Sequence, residues 1–173
     1  MTSEPLRIVA HGKPVPQGSV RSLGTGRPSI HGNAERLLPW RDTIIIATQA
    51  AKRKAKWVRA DGPVGIYGVF YFNRPKAHFT ARGTLKPTAP KWPTTRVNGD
   101  LDHLARAVGD ALTAAGAIRD DSQIVSWTVT KQFCETDPDS GLTHPGAVLR
   151  LVRLTETTMQ PEATTPKRGT LHS

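Results

Sequence analysis

The sequence holds a single cysteine, Cys134, in 173 residues. One thiol cannot close an internal disulfide, and without a partner set it makes no zinc site. Cys134 is therefore expected to be a buried structural residue rather than a nucleophile. No apolar run approaches the length needed to cross a bilayer, and the opening MTSEPLRIVAHG lacks the apolar core of a signal peptide, so a cytoplasmic protein without a membrane partner is expected. No internal repeat is visible. Acidic residues are scarce as well: 14 Asp and Glu stand against 24 Lys and Arg, leaving a net charge of +10. That imbalance favours a phosphate-bearing partner, because cations that neutralise phosphates release condensed counterions.

What is present suits one globular domain. The length supports a single hydrophobic core, and 37% hydrophobic with 22% charged residues is ordinary for a folded chain. Residues 1–155 are assigned to that domain. Residues 156–173 have almost no large apolar side chains and many Thr and Pro, so a disordered tail is expected there.

Leu6 to Ala10 reads as a strand stopped by His11-Gly12, and Gly12 to Asn33, rich in Gly and Pro, reads as a long loop. Ala34 to Val58 reads as a helix from the spacing of Leu37, Trp40, Ile44, Ala47, Ala51 and Ala55, with its regular part beginning near Pro39. Lys52, Arg53, Lys54 and Lys56 suit its negative end. Val64 to Phe72, β-branched and aromatic, predicts a central strand. Pro75, Pro87, Pro90 and Pro93 keep Asn73 to Arg96 irregular. A helix at the centre of the chain is followed by a strand from Ile124 to Phe133, whose alternation puts Val125, Trp127, Val129 and Phe133 on one buried face. A last strand runs from Ala147 to Leu154. The order β-α-β-α-β-β implies a single α/β (α+β) domain, a four-stranded mixed sheet with two helices.

The irregular segments carry cations interleaved with aromatics, as a nucleic-acid contact surface requires. Lys13, Arg21, Arg27, Arg74, Lys76, Lys86, Lys91 and Arg96 are the candidate phosphate contacts, and Trp92 the candidate stacking residue. The alternative is a solvated loop whose Phe79 and Trp92 fold back onto the core.

The stretch VNGDLDHLARAVGDALTAAGAIRDDSQI, Val97 to Ile124, concentrates the remaining information. Leu101, Leu104, Ala105, Val108, Leu112 and Ala115 make one apolar helical stripe, and Gly116 stands where a C-terminal glycine cap belongs. Asp100 is a candidate N-cap and Asp102 lies in the first turn, which a stability argument alone can explain. The second acidic pair, Asp120-Asp121, has no such explanation. If the following strand returns beside the helix start, Asp121 approaches Asp100 and Asp102, and three carboxylates there would bind Mg²⁺ or Mn²⁺. Such an ion offsets charge on a scissile phosphate. Asp102, Arg106 and Asp110 share one helical face, either as surface ion pairs or with Arg106 clamping a phosphate oxygen; Asp110 is expected to be structural. His103 is open as a ligand or a proton carrier.

The pattern D-x-D-x-L-x-R-x-x-x-D-A-L, followed by a glycine turn, a D-D pair and Q-I, resembles the RusA family of Holliday junction resolvases, found in phages and prophages. GKPVPQGSVR and PGAVLRL resemble other parts of that family. The resemblance implies a homodimeric endodeoxyribonuclease that cuts four-way DNA junctions in symmetric pairs with Mg²⁺ or Mn²⁺. Its metal-binding aspartates fall on Asp100, Asp102 and Asp121, with Asp120 as an outside candidate. This chain departs from it at His103, where the family usually has Asn, and at Arg106, where it usually has Lys. Arg keeps the charge but cannot give up a proton, so phosphate clamping is the role that survives. Two other readings stay open: a DNA-binding module without catalysis, and a nuclease acting on flaps, forks or single strands.

Overall fold

A computed structural model of the protein describes residues 4–18, 20–21, 30–31, 34–134 and 142–155. Arg27 and the expected disordered tail at 156–173 lie outside these residues, as does the side chain of Arg21.

The nine residues VGIYGVFYF form β4 (Val64–Phe72), whose branched and aromatic side chains suit a strand paired on both edges. On one side it runs antiparallel to β6 (Gly146–Arg153), and on the other parallel to β5 (Ile124–Phe133). Parallel neighbours require a crossover, and α2 (Leu101–Ala114) supplies it. β1 (Leu6–His11) closes the far edge against β6, giving the mixed order β1-β6-β4-β5. α1 (Ala34–Ala55) packs on β1 and on α2. The core between helices and sheet holds Leu37, Ile44, Ile66, Phe70, Leu104, Leu112 and Leu149. The single domain with a four-stranded mixed sheet and two helices is therefore present as the sequence implies.

Several details differ. The segment read as a continuous loop contains two short antiparallel strands, β2 (Val20–Arg21) and β3 (Ile30–His31). Pro39 sits inside α1 rather than at the start of its regular part; it is on the exposed side, where solvent can satisfy the carbonyl its missing amide leaves open. α1 also ends short of Val58, because Lys56 turns into the left-handed region (φ 50°) and the Trp57 amide closes back onto the Lys52 carbonyl.

β5 carries the most consequential difference. Gly65 pairs with Ser126 although Val64 pairs with Ile124, so Val125 is an extra, bulged residue and is 52% exposed. The bulge resets the alternation, and Ile124 and Trp127 both line the groove against α2. The uniform buried face expected from period-2 spacing is thus interrupted; Trp127 is 37% exposed on an edge strand.

Candidate metal centre and its groove

The start of α2 is positioned by chain segments far apart in sequence. Gly99 takes φ 72°, and a Cβ there would stand 2.5 Å from Pro16 Cγ, so only glycine allows the close approach of the N-terminal segment. Lys131 of β5 donates through Nζ to the Gly99 carbonyl at 2.7 Å, and the Gln17 amide donates to the His103 carbonyl at 3.0 Å. The other end of α2 closes through Gly116 (φ 64°), with the Ala117 amide on the Leu112 carbonyl and the Gly116 amide on Thr113. Lys52 does not merely complement its own helix, as expected. Its Nζ donates to the Ala115 and Gly116 carbonyls at 2.8 and 2.7 Å, capping α2 instead.

Asp100 occupies the N-cap position with extended backbone, yet its carboxylate caps nothing: no side-chain hydrogen bond to the helix is made. The capping explanation of this residue is thereby removed. One ligand atom each from Asp100, Asp102 and His103 lies within 4.8 Å of the others, and His103 Nε2 is 3.7 Å from the Asp102 carboxylate. Two carboxylates and an imidazole make a donor set that fits a small divalent cation, with the nitrogen favouring Mn²⁺ over Mg²⁺. Both aspartates are exposed and sit at the positive end of α2.

The two members of the second acidic pair have different employment. Asp120 accepts from the Ser122 amide at 3.0 Å and opens a short 3₁₀ turn, and these hydrogen bonds hold its carboxyl below the usual carboxylate range. Gln123 completes the capping box through Oε1, which accepts from the Arg119 and Asp120 amides. Its amide nitrogen donates to the Ala60 and Gly62 carbonyls, tying the turn to the segment before β4. Asp120 therefore has a structural explanation, readable from D-x-x-Q, that the sequence reading overlooked. Asp121 has none: it is exposed, without a partner among the described residues, and faces the groove between α2 and β5.

The cluster at the helix start is Asp100, Asp102 and His103. Asp121 stands beside Gly109, seven residues from Asp102 along α2, roughly 10 Å at 1.5 Å per residue. Asp102, Arg106 and Asp121 nevertheless line one groove of about 420 Å³. Arg106 is exposed and has no partner among the described residues, so its guanidinium is free for a ligand. Asp110 pairs with Arg41 of α1 at 3.5 Å rather than with Arg106, in keeping with a structural role.

Among the basic candidates, Lys13, Lys76, Lys86, Lys91 and Arg96 are exposed. Trp92 is 47% exposed, with Lys91 Nζ 5.1 Å from its ring. Arg74 is a correction. It is only 8% exposed, its guanidinium lies 4.3 Å over the Phe133 ring, and Nη1 donates to the Pro90 carbonyl at 2.9 Å. The ring and the carbonyl hold the cation inside the fold, with little of it left at the surface for a phosphate. Arg36, which is not among the candidates named from the sequence, lines a second groove with Lys13 and Arg96 beside the turn that leads into α2. Cys134 is buried, with Sγ 3.9 Å from Asn73 Oδ1.

No helix among the described residues is long and apolar enough to cross a membrane. No curated protein matches the chain. The sequence profile of the family described as Endodeoxyribonuclease RusA matches residues 12–140, which takes in the Gly99–Pro16 contact, the aspartate cluster, the groove and the Gln123 turn together. With most of its length matched, the chain belongs to the RusA endodeoxyribonuclease family.

Proposed function

We propose that this protein is a divalent-metal-dependent endonuclease that resolves four-way DNA junctions, as a homodimer that places two sites against opposed strands. The observation that carries the reading is the idle carboxylate of Asp100: an aspartate at an N-cap that declines to cap, clustered with Asp102 and His103 and adjoining the groove of Arg106 and Asp121. Asp100, Asp102 and His103 would hold the ion, Mg²⁺ or Mn²⁺. When bound, it supplies Lewis-acid stabilisation of charge on the scissile phosphate.

The chain's own groups do the rest. Arg106 donates two parallel N–H bonds to non-bridging phosphate oxygens and fixes the phosphate in the groove; being always protonated, it moves no proton. Asp121, on the groove wall beside Gly109, accepts a hydrogen bond from the attacking water and orients it. Lys13, Arg36 and Arg96 meet the backbone next to the site, and Lys76, Lys86 and Lys91 extend the contact along an arm of the junction, with Trp92 offering a stacking face.

The test is cleavage of a labelled synthetic four-way junction with Mg²⁺, Mn²⁺ or EDTA, comparing wild type with Asp102→Asn and Asp121→Asn. Paired symmetric nicks that need metal and vanish in both variants are expected. Junction binding without cutting under every metal would replace the nuclease with a non-catalytic binding module.

A further inference from the structure

The groove that carries Asp102, Arg106 and Asp121 at its rim is lined inside by apolar groups: Leu101, Ala105, Ile124, Val129 and the indole of Trp127. A phosphodiester is served by the cations and carboxylates and has no use for such a lining. On the helix side this groove is lined by a glycine, Gly109. Gly109 lies in the middle of α2 with ordinary helical backbone, where glycine is among the least favourable residues. Packing does not demand it. A Cβ at 109 would stand 3.5 Å from Asp121 Cβ, 3.5 Å from Ile124 Cδ1 and 4.0 Å from Trp127 Cζ2, all ordinary contacts. A side chain longer than alanine's would push into the groove from its helix side, against Asp121 and Trp127. The bulge at Val125 turns that indole toward α2 and leaves it part-exposed beside an acidic rim.

We infer that this groove is a nucleobase slot: a base next to the scissile phosphate leaves the duplex and stacks on Trp127 over Gly109, while its phosphate rests at Asp102 and Arg106. Every base has a π-face that an indole can stack on, and a flat apolar slot takes it without reading its identity. Extruding a base from a duplex costs pairing and stacking, and the cost is least where pairing is already interrupted. A four-way junction breaks the continuous stack at its branch point, so the slot selects that point over linear duplex, which phosphate contacts alone cannot do. This rests on the nuclease reading and assigns its selectivity to Trp127 and Gly109 as positioning residues.

The experiment uses the full chain and a four-way junction with 2-aminopurine at the branch point, in EDTA so that no strand is cut. Binding and fluorescence are followed for wild type, Gly109→Leu, Trp127→Ala and Trp127→Phe, with thermal melts of each. Wild type should shift the 2-aminopurine signal and prefer junction to duplex. Gly109→Leu and Trp127→Ala should lose the shift and about tenfold of that preference. Trp127→Phe should keep most of both. Were Gly109→Leu unable to fold, Trp127→Ala and its Phe rescue decide the matter alone. An unchanged signal and preference in Trp127→Ala, with wild type still cutting junctions in Mg²⁺, would overturn the slot and leave the nuclease standing. Wild type that neither prefers nor cuts junctions would remove both. A change from dimer to monomer in Gly109→Leu would mean the groove seats a second copy of the chain instead of a base.

Discussion

Replacing Asp100 by Ala separates its two explanations quantitatively. An N-cap side chain in use loses about 1 kcal/mol of stability on truncation to Ala, which for a domain of this size lowers Tm by roughly 2–4 °C. In this fold the Asp100 carboxylate makes no hydrogen bond to α2, so only its attraction to the positive helix end is lost, about 0.3–1 kcal/mol. Relief of repulsion from Asp102, whose carboxylate shares the cluster, offsets part of that. The net cost should be no more than about 0.5 kcal/mol, a Tm change of roughly 1–2 °C. Cleavage should fall far more. Loss of one ligand forfeits several kcal/mol of charge stabilisation, and each 1.36 kcal/mol is tenfold, so at least about 100-fold is expected. Junction affinity in EDTA should hold or tighten, since one negative charge leaves a site that meets phosphates. Circular-dichroism melts, equilibrium binding and single-turnover cleavage measure the three quantities, with Asp100→Asn as the isosteric control. A fall of about 4 °C or more in Tm with cleavage intact would refute the ligand assignment and return Asp100 to a cap.

Other consequences are open to similar checks. Lys52→Met removes two charge-assisted hydrogen bonds from the last carbonyls of α2 and, discounted for partial exposure, should cost about 2 kcal/mol, or roughly 4–8 °C in Tm; an unaltered melt would mean the Gly116 closure suffices alone. Lys91→Ala combined with Trp92→Ala should weaken DNA binding about tenfold and reduce the log–log salt slope by about 0.9, whereas identical affinity at every salt concentration would remove the loop from the contact surface. Asp120 has its pKa lowered by the Ser122 hydrogen bonds, so its stabilisation is complete above the ordinary carboxylate value of 3.8 and disappears as pH falls through the lowered folded value. The Tm gap between wild type and Asp120→Ala should accordingly be constant from about pH 5 upward and close in strong acid; a gap that survives there would show that charge is not its origin.

The parts of this molecule that were legible in the sequence are those that repeat. The β-branched run of Val64–Phe72 and the apolar stripe of α2 each announce an element through periodicity, and Ile124–Phe133 begins and ends where its alternation does. Departures came where one residue breaks the period or one contact arrives from far away. Val125 is a single insertion in β5, which no period-2 reading can anticipate, and β2 and β3 are too short to show any period. Arg74 reads as a surface cation until Phe133 and the Pro90 carbonyl, remote in sequence, are found around it. In the candidate site, the closeness of Asp100 and Asp102 follows from their spacing at the helix start. Where Asp121 would fall depended on the placement of the Gln123 turn, fixed by Ala60 and Gly62 from another segment. His103, open in the sequence as a ligand or a proton carrier, is brought within reach of both aspartates by the first turn of α2.

The tethers on Gly99 also govern when the proposed cutting centre can exist. Pro16 must seat against Gly99 from upstream, and Lys131 must reach its carbonyl across 32 residues from downstream. Contacts of such separation come late, after local helices and turns have formed. A chain emerging from the ribosome can wind α2 early, yet its aspartates gain their final bearing only after β5 has been made and docked. Lys131 thus works as the last of several tethers: a fragment that ends before it keeps the acidic motif and the Pro16 and Gln17 contacts but lacks the one that comes from the sheet.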